Sequence, residues 1–307
     1  MSRIYEALQR ADLERKTAQE LEDRLVAEPG DVHDLEEPSQ IKADFNIDDV
    51  LPQTWRPFST SFPTLEERGG GVEQFRSLRS RIYQARYEAP LKTILVSSGM
   101  PAEGKSFVTA NLAMSLARNG INHTLLIDGD LRRPTLHKLL GAPNTPGLSE
   151  YLSGTAKLQE VMQRDRNTRA VESASGGTVT NLTFIPAGKC GDNSSELVAN
   201  HRIEELITVL TPHFDWILID SPPVLAVTDA VELARAADAV LLVARGGSTP
   251  YDIARSAQAA FTNSRLLGFV INAVKEPPRS GSYYYYYYGG QETTAGSKRR
   301  KDKPRQG

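Results

Sequence analysis

Apolar residues in the middle of the chain follow two periodicities in alternation. Runs of Val, Ile and Leu without polar alternation are typical of strands that are covered on both faces of a parallel sheet. Between them the apolar spacing is helical. Strands are predicted at residues 93–96, 124–127, 182–185, 216–219, 239–243 and 267–271, and helices at 107–118, 195–210 and 230–236. This alternation predicts an α/β fold with a doubly wound, mostly parallel sheet.

The two ends of the chain lack this alternation. Residues 1–28 carry a narrow apolar stripe that predicts an amphipathic helix, either a docking helix or a solvated one. Residues 29–72 mix acids, prolines and scattered apolar residues, which favours a mostly disordered linker. The folded domain is predicted at 73–276, and residues 277–307 are predicted to form a flexible tail.

Charge is distributed unevenly along the 307 residues, although the net charge is only -2. Residues 1–72 contain 8 Lys and Arg against 16 Asp and Glu, whereas residues 279–307 contain 7 against 2. Cys190 is the only cysteine, which excludes a disulfide framework. No apolar run is long enough to span a bilayer, and the first ten residues lack the apolar segment of a signal peptide. We therefore expect a cytoplasmic protein.

A phosphate-binding motif follows the first predicted strand. Residues 99–106 match G-x-x-x-x-G-K-[ST] between a strand and a helix, as in P-loop NTPases. In such loops the backbone amides and the lysine, here Lys105, bind phosphate oxygens, and the hydroxyl, here Ser106, binds Mg²⁺. The candidates for nucleotide contact are Gly99, Met100, Pro101, Ala102, Glu103, Gly104, Lys105, Ser106 and Phe107.

Three acidic residues end two other predicted strands. Asp128 and Asp130 follow the second strand, and Asp220 ends the strand at 216–219, in the position of a Walker B aspartate. The carboxyl ends of parallel strands form the ligand-binding edge of such sheets. Together with Lys105, these residues are the predicted catalytic set. Asp130 and Asp220 are expected to support the metal, and Asp128 to activate an attacking hydroxyl.

These motifs and a C-terminal run of tyrosines resemble the bacterial tyrosine kinases, the cytoplasmic autokinases of capsule and exopolysaccharide export. The resemblance covers residues 73–290. It rests on the P-loop, on Asp128-Gly129-Asp130-Leu131-Arg132, on Asp220-Ser221-Pro222-Pro223, and on a run of six tyrosines. It implies that ATP and Mg²⁺ are used to phosphorylate the tail of another subunit. The implied acceptors are Tyr283, Tyr284, Tyr285, Tyr286, Tyr287 and Tyr288.

The resemblance also implies assembly and partners. The E-x-x-R-x-x-R motif of the family, here Glu73, Arg76 and Arg79, is expected at the interface of a ring of subunits. Arg132 is a candidate for contact with phosphate or with a neighbouring subunit. Without the resemblance, ion pairing within the helix would be favoured for this motif. Asn272 is a candidate adenine contact. The implied partners are a separate membrane adaptor of the polysaccharide co-polymerase type, which recruits the kinase to the membrane, a tyrosine phosphatase and other protein substrates.

Two departures from the family pattern and two rival functions accompany the resemblance. Many members have Pro-Gly where this chain has Pro101-Ala102, and Asn-Pro-Ser-Glu-Leu where it has residues 193–197, Asn-Ser-Ser-Glu-Leu. The main rival is a Min/Par-type ATPase, which positions cargo without phosphorylating protein. Its extra lysine near the start of the P-loop is missing at residues 97–100. An inactive interaction module is the third hypothesis. Nucleic-acid binding is disfavoured because no basic face accompanies the core.

Overall fold

The structure is a computed structural model. It describes residues 50, 52–57, 59–65, 69–118, 122–165, 181–189 and 194–274. The predicted N-terminal helix, most of the predicted linker, Cys190 and the tail from 277 onward lie outside these ranges. No helix within the described ranges is both long enough and apolar enough to cross a membrane.

Eight strands form one sheet in the described part of the chain, in the order β1-β4-β5-β3-β6-β2-β7-β8. All pairings are parallel except that of β4 with β5. The strands are β1 Pro52–Gln53, β2 Thr93–Ser98, β3 Thr124–Asp128, β4 Gln163–Asp165, β5 Leu182–Ile185, β6 Trp216–Asp220, β7 Ala239–Arg245 and β8 Leu266–Asn272. The predicted mostly parallel α/β sheet is confirmed.

Helices connect these strands. They are α1 Gly70–Glu88, α2 Lys105–Ala117, α3 Leu136–Leu140, α4 Leu148–Leu152, α5 Leu158–Val161, α6 Ser194–Ala199, α7 Arg202–Leu210, α8 Asp229–Arg235 and α9 Tyr251–Ala260. Every residue of β2, β3 and β6 is buried, which explains their continuous apolar runs. Helix α2 is also buried along most of its length. Because β6 lies between β2 and β3, the loops after these three strands meet at one edge of the sheet.

The helix predicted at 195–210 is two helices, α6 and α7. The break lies at Asn200 and His201, and His201 has a positive φ of 59°. The Asn200 side chain accepts a hydrogen bond from the backbone N–H of Arg202, at 3.2 Å. Asparagine competes with helical hydrogen bonding in this way, so it favours helix boundaries over helix interiors. The prediction of one continuous helix was therefore wrong.

The end of the predicted linker packs on the folded domain. We call the described residues between 50 and 65 the strap. Trp55 and Phe62 in the strap are 5% and 0% exposed and belong to the main hydrophobic core. The Trp55 ring meets Phe184 of β5 edge-on, with ring centroids 6.1 Å apart. Burial of two large aromatic side chains outweighs the polar composition of the segment. The folded region therefore begins before residue 73.

Candidate active site

The phosphate-binding loop runs from Gly99 to Gly104, between β2 and α2. Gly104 precedes α2 with a φ of 92°, in the left-handed region. A Cβ at this position would lie 2.0 Å from Nδ2 of Asn272, so only glycine fits. That Nδ2 donates a hydrogen bond to the carbonyl oxygen of Glu103, at 3.0 Å. The candidate adenine contact thus lies at the end of β8, against the backbone of the phosphate loop.

Side chains of the loop itself fix its shape. Glu103 is 4% exposed, and its carboxylate accepts hydrogen bonds from the backbone N–H of Met100, at 2.8 Å, and from the hydroxyl of Thr249. Ala102 has a φ of 65°, where many family members have glycine. The Arg245 guanidinium donates a hydrogen bond to the carbonyl oxygen of Ala102, at 3.3 Å. The contact of Thr249 is a supporting interaction that no sequence motif indicated.

Lys105 and Ser106 begin α2 and reach two of the predicted aspartates. The Lys105 ammonium lies 2.9 Å from a carboxylate oxygen of Asp130 and 3.5 Å from one of Asp220. The Ser106 hydroxyl donates to Asp220 at 2.5 Å. Only 11% of the Lys105 side chain is exposed, and Asp220 is fully buried. A lysine and a serine at the start of α2 thus meet carboxylates that follow or end two other strands.

The alignment of β3 with β6 brings the aspartates together. Asp128 and Asp220 are register partners in these parallel strands. Gly129 follows, and its N–H donates to the carbonyl oxygen of Asp220 at 2.8 Å. A Cβ on Gly129 would lie 2.8 Å from that oxygen, so the close approach requires glycine. The spacing Asp-Gly-Asp therefore has a structural reason besides its charges.

Asp128 and Asp130 have different surroundings. Asp128 is fully buried, and its carboxylate accepts backbone N–H groups of Asp130, Thr135 and Leu136 at 3.1–3.3 Å. It does not line the neighbouring cleft, whereas Asp130 does. The structure thus gives Asp128 the task of holding the turn after β3. Asp128 therefore lies behind the cleft and not in its wall. Its role in activating the attacking hydroxyl stays a prediction.

Burial and close charges shift the ionisation of these groups. Burial raises the pKa of Asp128 to about 8, and the nearby charge of Asp220 adds to that rise. Burial also raises the pKa of Asp220, although the Lys105 ammonium opposes the rise. Burial alone would lower the pKa of Lys105, but Asp220 and Asp130 outweigh it and raise the pKa above its ordinary value. Lys105 is therefore a firmly protonated cation facing the phosphate loop.

Magnesium fits the oxygen atoms present at this edge of the sheet. Within the described residues, no group of three or more His, Cys, Asp or Glu side chains forms a metal cage. Mg²⁺ usually takes one or two protein oxygens, and waters and substrate phosphates complete its octahedron. The Ser106 hydroxyl and the Asp220 carboxylate supply hard oxygen donors of this kind. The carboxylate of Asp130 lies nearby, beside Lys105. These residues therefore suit a metal that is bound together with a nucleotide.

A cleft of about 830 Å³ opens beside the phosphate loop. Ala102 and Gly104 of the loop and Lys105 and Ser106 of α2 line it, together with Asp130. Its remaining walls are mostly apolar, with several basic side chains among them. These wall residues are Pro101, Phe107, Arg132, Arg133, Thr135, Lys138, Leu139, Pro222, Pro223, Ala226 and Val227. The cleft joins a phosphate-binding surface to walls that suit an aromatic ring.

The predicted interface residues make contacts within the chain. Arg76 and Glu73 form an exposed ion pair on α1, at 2.5 Å. The Arg79 guanidinium donates to the carbonyl oxygen of Ser115 on α2, at 2.7 Å. Pairing within the helix, the alternative for this motif, is therefore present for Glu73 and Arg76. Their exposed positions are also compatible with a contact between subunits.

Arg132 takes part in a network that joins the site to α6 and α8. Its Nε lies 2.9 Å from Asp229, and its Nη2 donates to the Ser195 hydroxyl at 2.5 Å. Ser195 donates in turn to Asp229, at 2.8 Å. Ser195 lies in the segment where the chain departs from the family pattern, yet the serine itself is retained there. Sequence reasoning missed the role of Asp229, which carries no motif.

Comparisons with known proteins agree with this geometry. Tyrosine-protein kinase YwqD of Bacillus subtilis is 32% identical over 212 residues, which cover 68% of this chain and 84% of YwqD. The chain belongs to the bacterial tyrosine kinase family. The kinase domain of the Escherichia coli tyrosine kinase ETK matches at 32% identity and a TM-score of 0.60, covering 70% of this chain and 80% of that structure. The predicted family and P-loop fold are therefore confirmed.

The extent of the match differs between relatives. AmsA of Erwinia amylovora is 37% identical over 205 residues, but these are 66% of this chain and only 26% of AmsA. The chain thus spans about a quarter of the length of such relatives, so their activities as whole proteins do not transfer directly. No protein-family model matches the chain. The predicted acceptor tyrosines and the basic tail lie outside the described residues.

Proposed function

We propose that this chain is an ATP-dependent protein-tyrosine kinase that phosphorylates the tyrosine run at residues 283–288 of another copy of itself. The observation that carries the proposal is the meeting of Lys105, Ser106, Asp130 and Asp220 at the mouth of a cleft with apolar walls. A phosphate loop alone would serve any nucleotide-binding protein. The adjoining apolar walls suit a phenol ring as the acceptor.

ATP is proposed to bind with its phosphates over residues 99–106, at the N-terminus of α2. The loop amides and Lys105 contact the phosphate oxygens, and Asn272 braces the loop from β8. Ser106 and Asp220 are the residues that would hold Mg²⁺. The metal, when bound, would neutralise charge that develops on the phosphate oxygens.

The transfer is proposed to be an in-line displacement. The phenol oxygen of the acceptor bonds to the γ-phosphorus while the bond from that phosphorus to the bridging oxygen breaks, and ADP leaves with the bond's electron pair. The phenol proton passes to a carboxylate. We assign that contact to Asp130, which lines the cleft, and a positioning role to Asp128 behind it.

Family membership supports the wider role that we propose. The kinase would regulate synthesis and export of capsule or exopolysaccharide, through assembly and disassembly of a ring of subunits. Glu73, Arg76, Arg79 and Arg132 are the proposed interface residues. A membrane adaptor of the polysaccharide co-polymerase type would recruit it to the inner face of the membrane. A tyrosine phosphatase would reverse the modification, and other proteins would be further substrates.

The decisive experiment mixes two forms of the full chain. Active enzyme is incubated with ATP, Mg²⁺ and ¹⁵N-labelled Lys105→Met protein, and phosphotyrosine is located by mass spectrometry. Phosphate in residues 283–288 of the labelled chain supports transfer between subunits. Labelled protein in which all six tyrosines are replaced by Phe is the matched control. ADP release without phosphotyrosine would instead indicate a Min/Par-type ATPase, and neither product would indicate an inactive module.

A further inference from the structure

The cleft beside the phosphate loop has basic side chains that the transfer chemistry does not use. Arg132, Arg133 and Lys138 line it together with Lys105. Lys105 is paired with two aspartates, and Arg132 is paired with Asp229. These two cations therefore already have carboxylate partners.

Arg133 and Lys138 differ from these two cations. Both side chains are exposed, and within the described ranges neither has an ion pair or a side-chain hydrogen bond. The Arg133 backbone N–H donates a hydrogen bond to the Asp130 carboxylate at 3.0 Å. This bond holds Arg133 close to the carboxylate that is proposed to face the acceptor. Lys138 lies on α3. Asp128 holds the start of this helix, because it accepts a hydrogen bond from the backbone N–H of Leu136. The turn that positions the aspartates thus also positions two available positive charges.

The proposed acceptor acquires a complementary charge during the reaction. Six tyrosines are consecutive in the sequence, so every acceptor has at least one tyrosine beside it. Each phosphate adds about -1.5 to -2 charges at neutral pH. In an extended chain, residues two positions apart lie about 7 Å from each other on the same side. A phosphate on a neighbouring tyrosine therefore stays near the cleft when the next tyrosine enters it.

We propose that Arg133 and Lys138 select acceptor tyrosines that have a phosphotyrosine nearby, so that phosphorylation of the run is self-reinforcing. This inference rests on the proposed function and names its substrate class, a tyrosine in a partly phosphorylated tyrosine run of a second copy. The neighbouring phosphate binds the two cations through charge-assisted hydrogen bonds. The transfer step itself is unchanged, since the phenol oxygen gains the γ-phosphoryl group and ADP departs.

Synthetic peptides with the sequence of residues 281–290 test this preference with the full-length enzyme. The first peptide keeps tyrosine only at position 285 and has phenylalanine at the other five tyrosine positions. Two further peptides carry phosphotyrosine at position 283 or 287. At saturating ATP, we expect at least one phosphorylated peptide to have a kcat/KM about tenfold higher than that of the unphosphorylated peptide. The gain should come mainly from a lower KM, and about tenfold is what one charge-assisted contact provides. Product is quantified by mass spectrometry.

Variants of the enzyme then assign the preference to these residues. Arg133→Ala/Lys138→Ala should reduce the ratio between phosphorylated and unphosphorylated peptides to about one. Lys138→Glu should bring it below one, because a carboxylate repels the phosphate. Arg255→Ala/Lys157→Ala, which removes two exposed basic side chains outside the cleft, should keep the tenfold ratio.

Several results would overturn the inference. A ratio of one or less in the wild-type enzyme means that a neighbouring phosphate does not help. A ratio that stays near ten in Arg133→Ala/Lys138→Ala means that other groups bind it. In both cases the proposed kinase function stands, because the unphosphorylated peptide is still modified. If the enzyme phosphorylated neither the peptides nor its own tail, the kinase function would be overturned as well.

Discussion

Ala102 holds the phosphate loop in a backbone conformation that favours glycine. Its φ is 65°, and its side chain is exposed. The left-handed region costs a residue with a Cβ about 1–2 kcal/mol. Glycine avoids that cost, but it also raises the conformational entropy of the unfolded chain, which offsets part of the gain in stability. Ala102→Gly should therefore raise the free energy of unfolding by about 0.5–1 kcal/mol, measured by urea denaturation.

Ala259→Gly is the matched control for that change. Ala259 is also exposed, but it lies within α9. The cost of glycine is about 1 kcal/mol in a helix interior, and it should be smaller but still destabilising at Ala259, in the last turn of α9. Opposite signs for the two substitutions would show that φ at residue 102 decides the effect. A loss of stability in both would mean that Ala102 is not strained.

The two aspartates after β3 should respond differently to substitution. Asp130→Asn removes the carboxylate that lines the cleft, so kcat should fall by about 10²-fold or more. Loss of the buried ion pair with Lys105 should also lower the urea midpoint. Asp128→Ala leaves three backbone N–H groups without their acceptor and should lower stability by about 2–3 kcal/mol.

Asp128→Asn separates position from chemistry at this residue. Asparagine retains an oxygen that can accept from Thr135 and Leu136, so we expect it to restore most of the stability that Asp128→Ala loses. Phosphotyrosine formation in this variant should then stay within about tenfold of the wild type, since a base contributes about 10²-fold or more. A stable but inactive Asp128→Asn enzyme, beside an active Asp130→Asn enzyme, would make Asp128 the base.

At the scale of elements, Glu150 joins helix α4 to the segment after β5. Its carboxylate accepts hydrogen bonds from the backbone N–H of Gly147 and Lys189 and from the hydroxyl of Ser149, at 2.9–3.0 Å. Partial burial acts to raise the pKa of Glu150, but these hydrogen bonds outweigh it and lower the pKa below its ordinary value of 4.5. The ionised form is therefore favoured in the folded state.

A lowered folded-state pKa makes this contribution depend on pH. The stability from Glu150 is fully present above pH 4.5 and is lost as the pH falls through the lower folded value. Glu150→Gln should therefore lower the free energy of unfolding by about 1 kcal/mol at pH 7, after allowance for solvent, and by less at pH 3. Glu196→Gln, at an exposed site, should change little at either pH. Equal losses for Glu150→Gln at both pH values would contradict this.

Elements differ in how well the sequence predicts them, because they differ in where their stability arises. The central strands were predictable because each is a buried apolar run. The phosphate loop was predictable because its glycines and Lys105 have a fixed spacing. The pairing of β1 with β4 was not predictable, because two-residue Pro52–Gln53 has no pattern of its own. Contacts such as Thr249 with Glu103 join positions 146 residues apart, and only the fold brings them together.

At the scale of the whole molecule, the strap connects the sheet edge to the helix that carries the phosphate loop. The backbone N–H of Trp55 donates to the carboxylate of Asp165 of β4 at 3.3 Å. Further along the strap, the Thr64 hydroxyl donates to Asn111 of α2 at 2.9 Å, and Asn111 donates to the carbonyl oxygen of Ser61 at 2.9 Å. These contacts are buried or partly buried, so they stabilise the domain more than exposed ones would.

Removing the ring of Phe62 tests whether the strap is part of the folded core. Phe62 is 0% exposed, so Phe62→Ala should lower the free energy of unfolding by about 3–4 kcal/mol. Phe269→Ala, at a site 37% exposed on the edge strand β8, should cost less than about 2 kcal/mol. A chain that begins at residue 69 lacks the whole strap but keeps α1, and it should unfold at a lower urea concentration than one that begins at residue 46. If the two chains had the same urea midpoint, the strap would be a surface attachment, and the domain would begin where the helical pattern of α1 begins.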